Sequence, residues 1–221
     1  MGRLKLICSP GINIIDRNID DMWNSYIARI FCVKDLEKRV KFVMRRAQLR
    51  YPVGDELYLI VSHSGSGKTA LTKILGNSVG DYVMADLKDI VGRVPDTMER
   101  IATKPMFIIQ DIPATEYDSG PLPIELDSST LQEILRNDPI SCTPKYKREM
   151  TLYPDCIAMG TTNRAVSHQN SEIYSRVEVW CTGKSFGTDA TVRSEFVDFM
   201  CSRCLNSIMK WLWNDYEVED L

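Results

Sequence analysis

One segment of eight residues restricts the fold of this 221-residue chain more than any other. Residues 62–69 read SHSGSGKT and directly follow the apolar run LYLIV at residues 57–61. The segment matches the pattern G-x-x-x-x-G-K-[ST], with Ser62 at the place of the first glycine. Such a pattern is typical of a buried strand, a tight loop and the start of a helix. It therefore predicts a phosphate-binding loop in an α/β domain.

The residue types of this loop suit the binding of a nucleotide. Glycines let the backbone wrap with its N–H groups turned inward around phosphate oxygens. Lys68 is expected to reach the β- and γ-phosphates, and the Thr69 hydroxyl is expected to coordinate Mg²⁺. We therefore expect ATP and Mg²⁺ as cofactors. The predicted nucleotide-binding residues are Ser62, His63, Ser64, Gly65, Ser66, Gly67, Lys68 and Thr69.

A second apolar run, residues 106–109, ends in Gln110-Asp111. It resembles a Walker B strand, but such strands often end in two acids and this one has a single acid. Asp111 is expected to hold Mg²⁺ through water, to orient the water that attacks the nucleotide, or to do both. Glu116 lies further along the chain and is a candidate for the second role.

A third apolar run, residues 157–160, leads into Thr161-Thr162-Asn163. A polar amide at the end of a strand beside the phosphate loop can contact the γ-phosphate or the attacking water. This is the sensor 1 position of AAA+-type ATPases. Asn163 is therefore predicted to be a catalytic residue, with an ordinary loop asparagine as the alternative.

Residues 140–152 are expected to form a hairpin whose tip is basic. Its cations give a local positive charge, and its tyrosine offers a ring on which a base can stack. The tip is therefore predicted to bind single-stranded nucleic acid, although solvated surface charges remain the alternative. The predicted nucleic-acid-binding residues are Lys145, Tyr146, Lys147 and Arg148.

The predicted strands and helices follow one another in turn along the chain. The strands are apolar throughout, with no polar residue at every second position, which predicts a parallel sheet covered by helices on both faces. The expected fold class is an α/β P-loop NTPase of the AAA+ type with helical N-terminal and C-terminal segments. We expect a helical segment over 1–55, the ATPase core over 56–190, and a C-terminal helix with an acidic tail over 191–221. One last helix is expected over 191–213.

Composition excludes several classes of protein. A net charge of -3 and 44% hydrophobic residues argue against a cationic nucleic-acid coat and against global disorder. No window of the sequence approaches the apolar length of a membrane span, so no membrane partner is expected. The 7 cysteines show no secreted framework, which favours a reduced intracellular compartment, cytoplasmic or nuclear in a host cell.

The order of these motifs resembles the superfamily 3 helicases, particularly the poxvirus-type and the phage or plasmid primase-helicases. Residues 131–163 read LQEILRNDPISCTPKYKREMTLYPDCIAMGTTN, in which a helix, a turn, a basic hairpin and a strand ending in Thr-Asn follow one another. Ser175-Arg176-Val177 is similar to the arginine that precedes a later strand in that family. The resemblance covers about residues 57–180.

The resemblance implies a homo-oligomeric ring, usually a hexamer, with ATP bound between subunits. The hairpin would line the central pore, and Arg176 would reach the neighbouring subunit's site as an arginine finger. It also implies a role in viral or mobile-element genome replication. Such helicases usually carry a primase, nuclease or origin-binding domain, and none is recognisable in this sequence, so we expect a motor that acts with a separate replication protein or is cut from a longer protein.

Other functions share the same phosphate loop. An AAA+-type protein remodeller or helicase loader would keep the ATP site and differ at the pore hairpin. A small-molecule kinase would need an acceptor pocket and would have no use for Asn163. A nucleotide-binding switch without turnover would fit the single acid at Asp111.

Overall fold

A computed structural model describes residues 19–31, 34–50, 55–112, 129–163, 172–182 and 190–214. Glu116, nearly all of the proline-rich stretch 112–128 and the acidic tail lie outside these residues.

Helices and strands alternate along the chain. The helices are α1 (Ile19–Ile30), α2 (Lys34–Leu49), α3 (Lys68–Val79), α4 (Leu87–Val91), α5 (Pro95–Thr103), α6 (Ser129–Leu135), α7 (Ala190–Arg203) and α8 (Leu205–Trp213). The strands are β1 (Leu57–Val61), β2 (Val83–Ala85), β3 (Met106–Ile109), β4 (Ile140–Cys142), β5 (Met150–Leu152), β6 (Ile157–Thr162) and β7 (Val177–Cys181). A 3₁₀ turn over Glu172–Arg176 leads into β7.

Five strands form a sheet in the order β2-β3-β6-β1-β7. Every neighbouring pair in this sheet is parallel. Leu57 at the start of β1 pairs with Ala158 of β6 on one side and with Val177 of β7 on the other. The carboxyl ends of all five strands therefore lie at one edge. The predicted α/β fold of the P-loop NTPase type is confirmed.

Helices cover both faces of the sheet. Tyr58, Ile60 and Met106 belong to an apolar cluster with α1, α2, α3, α7 and α8. The residues that alternate with them, such as Leu59 and Phe107, belong to a second cluster with α4, α5 and α6. Burial on both faces explains why the strands are apolar throughout and show no polar alternation.

The described parts of the two terminal segments pack against each other. Trp23 of α1 is fully buried, and its ring meets that of Trp211 of α8 edge to face, with centroids 5.4 Å apart. Arg45 of α2 donates a hydrogen bond to the Leu212 carbonyl. Arg39 donates to both carboxylate oxygens of Glu178 on β7. Part of the basic face of α2 is therefore used inside the chain.

The helix expected over 191–213 is interrupted, and that prediction is wrong in this respect. α7 ends at Arg203 and α8 begins at Leu205, with Cys204 between them at φ -100° and ψ 4°. The break lets the apolar faces of α7 and α8 pack against different helices: α7 packs mainly on α3, whereas α8 packs on α1 and α2. Cys204 is fully buried at this corner.

None of the helices in the described ranges has both the length and the apolar character needed to cross a bilayer. The cysteines within these ranges are free thiols: Cys142, Cys156, Cys181, Cys201 and Cys204.

We predict that Gly160→Ala lowers the free energy of unfolding by about 1–3 kcal/mol, the usual cost of overpacking. A Cβ at this position of β6 would lie 2.7 Å from Ile112 Cδ1 and 3.0 Å from Leu59 Cδ1. Chemical denaturation measures the change. The double variant Gly160→Ala/Ile112→Val is the control, because it removes the Ile112 Cδ1 that the added Cβ would meet and should recover part of the loss. Equal stability of Gly160→Ala and the unaltered chain would contradict this account of the packing.

Candidate nucleotide-binding site and basic hairpin

The loop between β1 and α3 follows the geometry that its glycines permit. Gly65 has a φ of +77° and Gly67 a φ of +90°, both in the left-handed region that glycine adopts without steric cost. Gly67 is also the residue from which α3 starts, since its carbonyl accepts the N–H of Leu71 at 2.8 Å. The loop thus ends at a helix N-terminus, where backbone N–H groups and the helix dipole favour an anion.

The Lys68 ammonium lies inside this loop. Its Nζ donates to the carbonyls of Ser62 at 2.8 Å and His63 at 2.9 Å, and to Oδ1 of Asn163 at 2.7 Å. The residue is only 5% exposed. Burial lowers the pKa of Lys68, and the negative charge of Asp111 acts in the opposite direction. The partners other than Asp111 are neutral oxygens, which an anionic phosphate oxygen can replace.

The pairing of β6 with β1 brings Asn163 to the loop. Val61 is paired with Thr162, and the N–H of Ser62 donates to the Thr162 carbonyl at 3.4 Å. Asn163 is the next residue, so its side chain meets Lys68. Two residues that are distant in sequence and were predicted to act together are therefore in direct contact.

Asp111 follows β3 in an unusual backbone conformation, with a φ of +46°. Its N–H donates to Oγ1 of Thr161 at 3.0 Å, and the N–H of Ile112 donates to the Thr161 carbonyl at 2.8 Å. Thr161 is fully buried in β6. It therefore positions the acid, a role that the sequence did not reveal because it depends on which residue of β6 faces the end of β3.

The serine at the first position of the loop pattern has its own partner. Ser62 Oγ donates to the carbonyl of Thr182, just after β7, at 3.3 Å. Serine in place of glycine therefore adds a hydrogen bond between the loop and the residue that follows β7.

The side chains at this edge fit a nucleotide with a divalent cation. Lys68 and the loop N–H groups are donors for phosphate oxygens. The Thr69 hydroxyl and the Asp111 carboxylate are hard oxygen donors of the kind that Mg²⁺ takes. Ser66 is buried, and its Oγ lies 3.4 Å from Lys68 Nζ, whereas His63 and Ser64 are exposed.

Arg176 lies at the opposite edge of the sheet. It directly precedes Val177, which pairs with Leu57 at the amino end of β1. The length of β1, about 13 Å at 3.3 Å per residue, separates it from the loop of its own chain. Its guanidinium forms an ion pair with Asp55. The structure thus does not bring Arg176 together with Lys68, Asp111 and Asn163 within one chain.

The basic element lies at the tip of an antiparallel hairpin formed by β4 and β5. Ile140 pairs with Leu152, and Cys142 pairs with Met150. Ile140 and Cys142 are buried at the base, in the cluster with α4, α5 and α6. Tyr146 is 94% exposed at the tip and has a φ of +66°. The ring is therefore presented to solvent by a base that is fixed in the core.

The cations of the tip differ in their surroundings. Lys147 forms an ion pair with Glu99 of α5. Lys145 Nζ lies 5.3 Å from the centroid of the Tyr146 ring, and Arg148 is exposed. Lys147 therefore helps to hold the tip against α5. The sequence did not predict this role of Glu99, because Lys147 lies on a different element of the fold.

Comparison with known proteins supports the fold. No family model and no curated protein matches this chain. The apo structure of the NrS-1 C-terminal region matches with a TM-score of 0.63 at 10% identity, over 100% of this chain and 51% of that chain. A ligand-bound structure of JCV helicase matches with a TM-score of 0.58 at 14% identity, over 93% of this chain and 57% of that chain.

This chain thus spans little more than half the length of the structures that it matches. At such low identity the likeness concerns the fold alone. The fold that the resemblance predicted is confirmed, and the chain shares it with the NrS-1 C-terminal region and JCV helicase.

Proposed function

We propose that this chain is the ATP-hydrolysing motor of a ring that moves along or unwinds nucleic acid, in viral or mobile-element genome replication. The observation that carries the proposal is the 2.7 Å contact between Lys68 Nζ and Asn163 Oδ1. A loop that only binds phosphate needs no polar side chain from a second strand. A motor needs one, because nucleotide hydrolysis must be sensed by the rest of the domain.

The roles in hydrolysis follow from the site. Lys68 exchanges its carbonyl and amide partners for β- and γ-phosphate oxygens when ATP binds. This exchange releases the Asn163 amide to contact the γ-phosphate or the attacking water. Thr69 and Asp111 would hold Mg²⁺, which supplies charge neutralisation at the phosphates. Asp111 also orients the water, with Glu116 as the second candidate for that task.

The basic hairpin is the proposed contact with single-stranded nucleic acid. The exposed ring of Tyr146 suits base stacking, and Lys145 and Arg148 supply positive charge on a chain whose net charge is -3. An AAA+-type protein remodeller or helicase loader is the second candidate, because an exposed aromatic residue at a pore also suits the grip of a polypeptide. The cations beside Tyr146 favour nucleic acid.

The position of Arg176 favours assembly. It is too far from the phosphate loop of its own chain to act there, so its role as an arginine finger requires the site of a neighbouring subunit. We propose a homo-oligomeric ring, with a hexamer as the expected size, acting with a separate replication protein.

We predict that ATP hydrolysis per chain rises steeply with protein concentration and is stimulated by single-stranded nucleic acid. Lys68→Ala should abolish most of the activity, because it removes the cation that binds the phosphates. Arg176→Gln should do the same, since an arginine supplied in trans raises the rate by a factor of about 10³–10⁵. A mixture of these two inactive variants should regain activity, because some interfaces combine an intact Lys68 with an intact Arg176.

Asp55→Asn is the control for this experiment, since it breaks the ion pair between Arg176 and Asp55 and keeps the arginine. No recovery of activity in the mixture would contradict a shared site. Turnover that ignores nucleic acid would favour the protein remodeller, and no turnover at any concentration would favour a nucleotide switch.

We predict that Asn163→Asp weakens ATP binding by about 10-fold or more, because hydrogen bonds to charged groups contribute roughly 1.5–3 kcal/mol. The new carboxylate would hold the Lys68 ammonium more tightly and would repel the phosphates. Titration with a fluorescent ATP analogue measures the affinity. Asn163→Ala, which adds no charge, should bind ATP nearly as well as the unaltered chain but hydrolyse it slowly. Tight binding by Asn163→Asp would argue against the exchange of partners at Lys68.

We predict that Tyr146→Asn weakens binding to single-stranded DNA or RNA by about 5- to 150-fold, since stacking contributes roughly 1–3 kcal/mol per base. Asparagine tolerates the left-handed backbone of this residue, so the turn is kept. Fluorescence anisotropy measures the affinity. Tyr153→Asn is the control, because Tyr153 is 68% exposed at the base of the same hairpin. Equal losses for both variants would contradict a contact specific to the tip.

A further inference from the structure

The acidic tail of this chain begins where the end of α8 lies against α2. The Trp211 indole N–H donates to Oε1 of Glu37 at 2.7 Å. One turn later, Nη2 of Arg45 donates to the carbonyl of Asn214 at 2.9 Å. Asn214 is the last residue that the structure describes. The residues that follow it in the sequence therefore start from the surface of α2.

The side of α2 that lies beyond Arg45, as seen from α8, faces away from the core. Successive residues are about 100° apart around the axis of an α-helix. On that scale Lys41, which contacts a ring of α8, lies about 40° before Arg45. Between residues 38 and 49, the side chains that follow within about 100° on the other side of Arg45 form the outer face of α2: Lys38, Phe42, Arg46 and Leu49.

The outer face of α2 combines positive charge with apolar surface. Lys38 is exposed and has no ion pair within the described part of the chain. The Arg46 guanidinium lies 5.4 Å from the centroid of the Phe42 ring, and Leu49 is 42% exposed. From residue 38 to residue 49 the face thus runs cation, apolar, cation, apolar. Exposed charged residues just beyond it add a net positive charge: Lys34, Asp35 and Arg50.

The tail has a complementary pattern. Residues 215–220 read DYEVED, so that acids alternate with Tyr216 and Val218. Six extended residues span about 20 Å at 3.3 Å per residue. At about 1.5 Å per helical residue, Lys38 lies about 10 Å and Leu49 about 6 Å from Arg45 along α2. The tail is therefore long enough to reach either end of the outer face.

We propose that the outer face of α2 is a docking surface and that its occupant is the acidic tail, residues 215–220 of the same chain. The starting point of the tail, its length and its charge all favour this occupant. Docking neutralises part of the positive charge of α2 and keeps this helix from binding phosphates. The inference does not depend on nucleotide binding or hydrolysis.

The first test is the rate at which Lys38 is acetylated, followed by mass spectrometry. The matched variant replaces the four acids of the tail by their amides, which keeps the length of the tail and the Asn214 carbonyl. Lys38 should react about 3-fold or more faster in the variant, and the difference should vanish at high salt, because salt screens exposed charges. Lys88 on α4 is the control, since its side chain is 80% exposed and its rate should not change.

The second test is carbodiimide cross-linking, which joins amines to carboxylates in contact. In the unaltered chain the tail should link to Lys38 more often than to Lys210, whose side chain is 75% exposed and which is nearer to the tail in sequence. Chains with and without ¹⁵N, mixed before the reaction, show whether a link lies within one molecule.

Four outcomes overturn the inference. Equal acetylation of Lys38 in both chains leaves the outer face without the tail. Links spread over Lys38, Lys88 and Lys210 show a tail without a fixed site. Links that join only different molecules assign the face to a second copy of the chain. Protection of Lys38 that requires a single-stranded oligonucleotide, and is the same in both chains, assigns the face to nucleic acid.

Discussion

The pairing of β1 with β6 is the constraint on which the rest of the site depends. Because the two strands are parallel, the residues that follow them meet at one edge, and the register Val61 to Thr162 fixes which residues those are. Lys68 meets Asn163 through this register, and the same strand β6 holds Asp111 through Thr161. A slip of one residue would turn the side chains of β6 to the opposite face of the sheet and would separate these groups.

The helix that carries the phosphate loop is held by both ends of the chain. α3 shares one apolar cluster with α1, α2, α7 and α8, and Asn77 near its end donates to the Cys201 carbonyl of α7. β7 is tied to α2 by Arg39, which also donates to Glu56. The described parts of the terminal segments thus support the sheet and α3 directly. A change in how these segments pack would therefore alter the position of the phosphate loop.

Local sequence patterns predicted the elements whose causes are local. The strands at 57–61 and 106–109 have the predicted bounds, because an apolar run between turn residues determines both ends. Contacts between distant elements were not predictable from one sequence. The bond from Asp111 to Thr161, the ion pair of Lys147 with Glu99 and the break at Cys204 each depend on which surfaces meet in three dimensions. Glu116 lies outside the described residues, so its place in the site stays a prediction.

Three cations with proposed roles are already paired inside the chain. Lys68 is bound by two carbonyls and Asn163, Arg176 is paired with Asp55, and Lys147 is paired with Glu99. Lys68 is the buried one of the three, and because a buried charge without a partner would be costly, its contacts let the chain fold before a nucleotide binds. Each ligand must then compete with a contact that it replaces. The proposed binding of nucleotide at Lys68, and of a neighbouring subunit at Arg176, would then be an exchange of partners. Its net free energy would be the small difference between two favourable interactions. Such a balance would suit the proposed motor, because each ligand must be released again within every cycle.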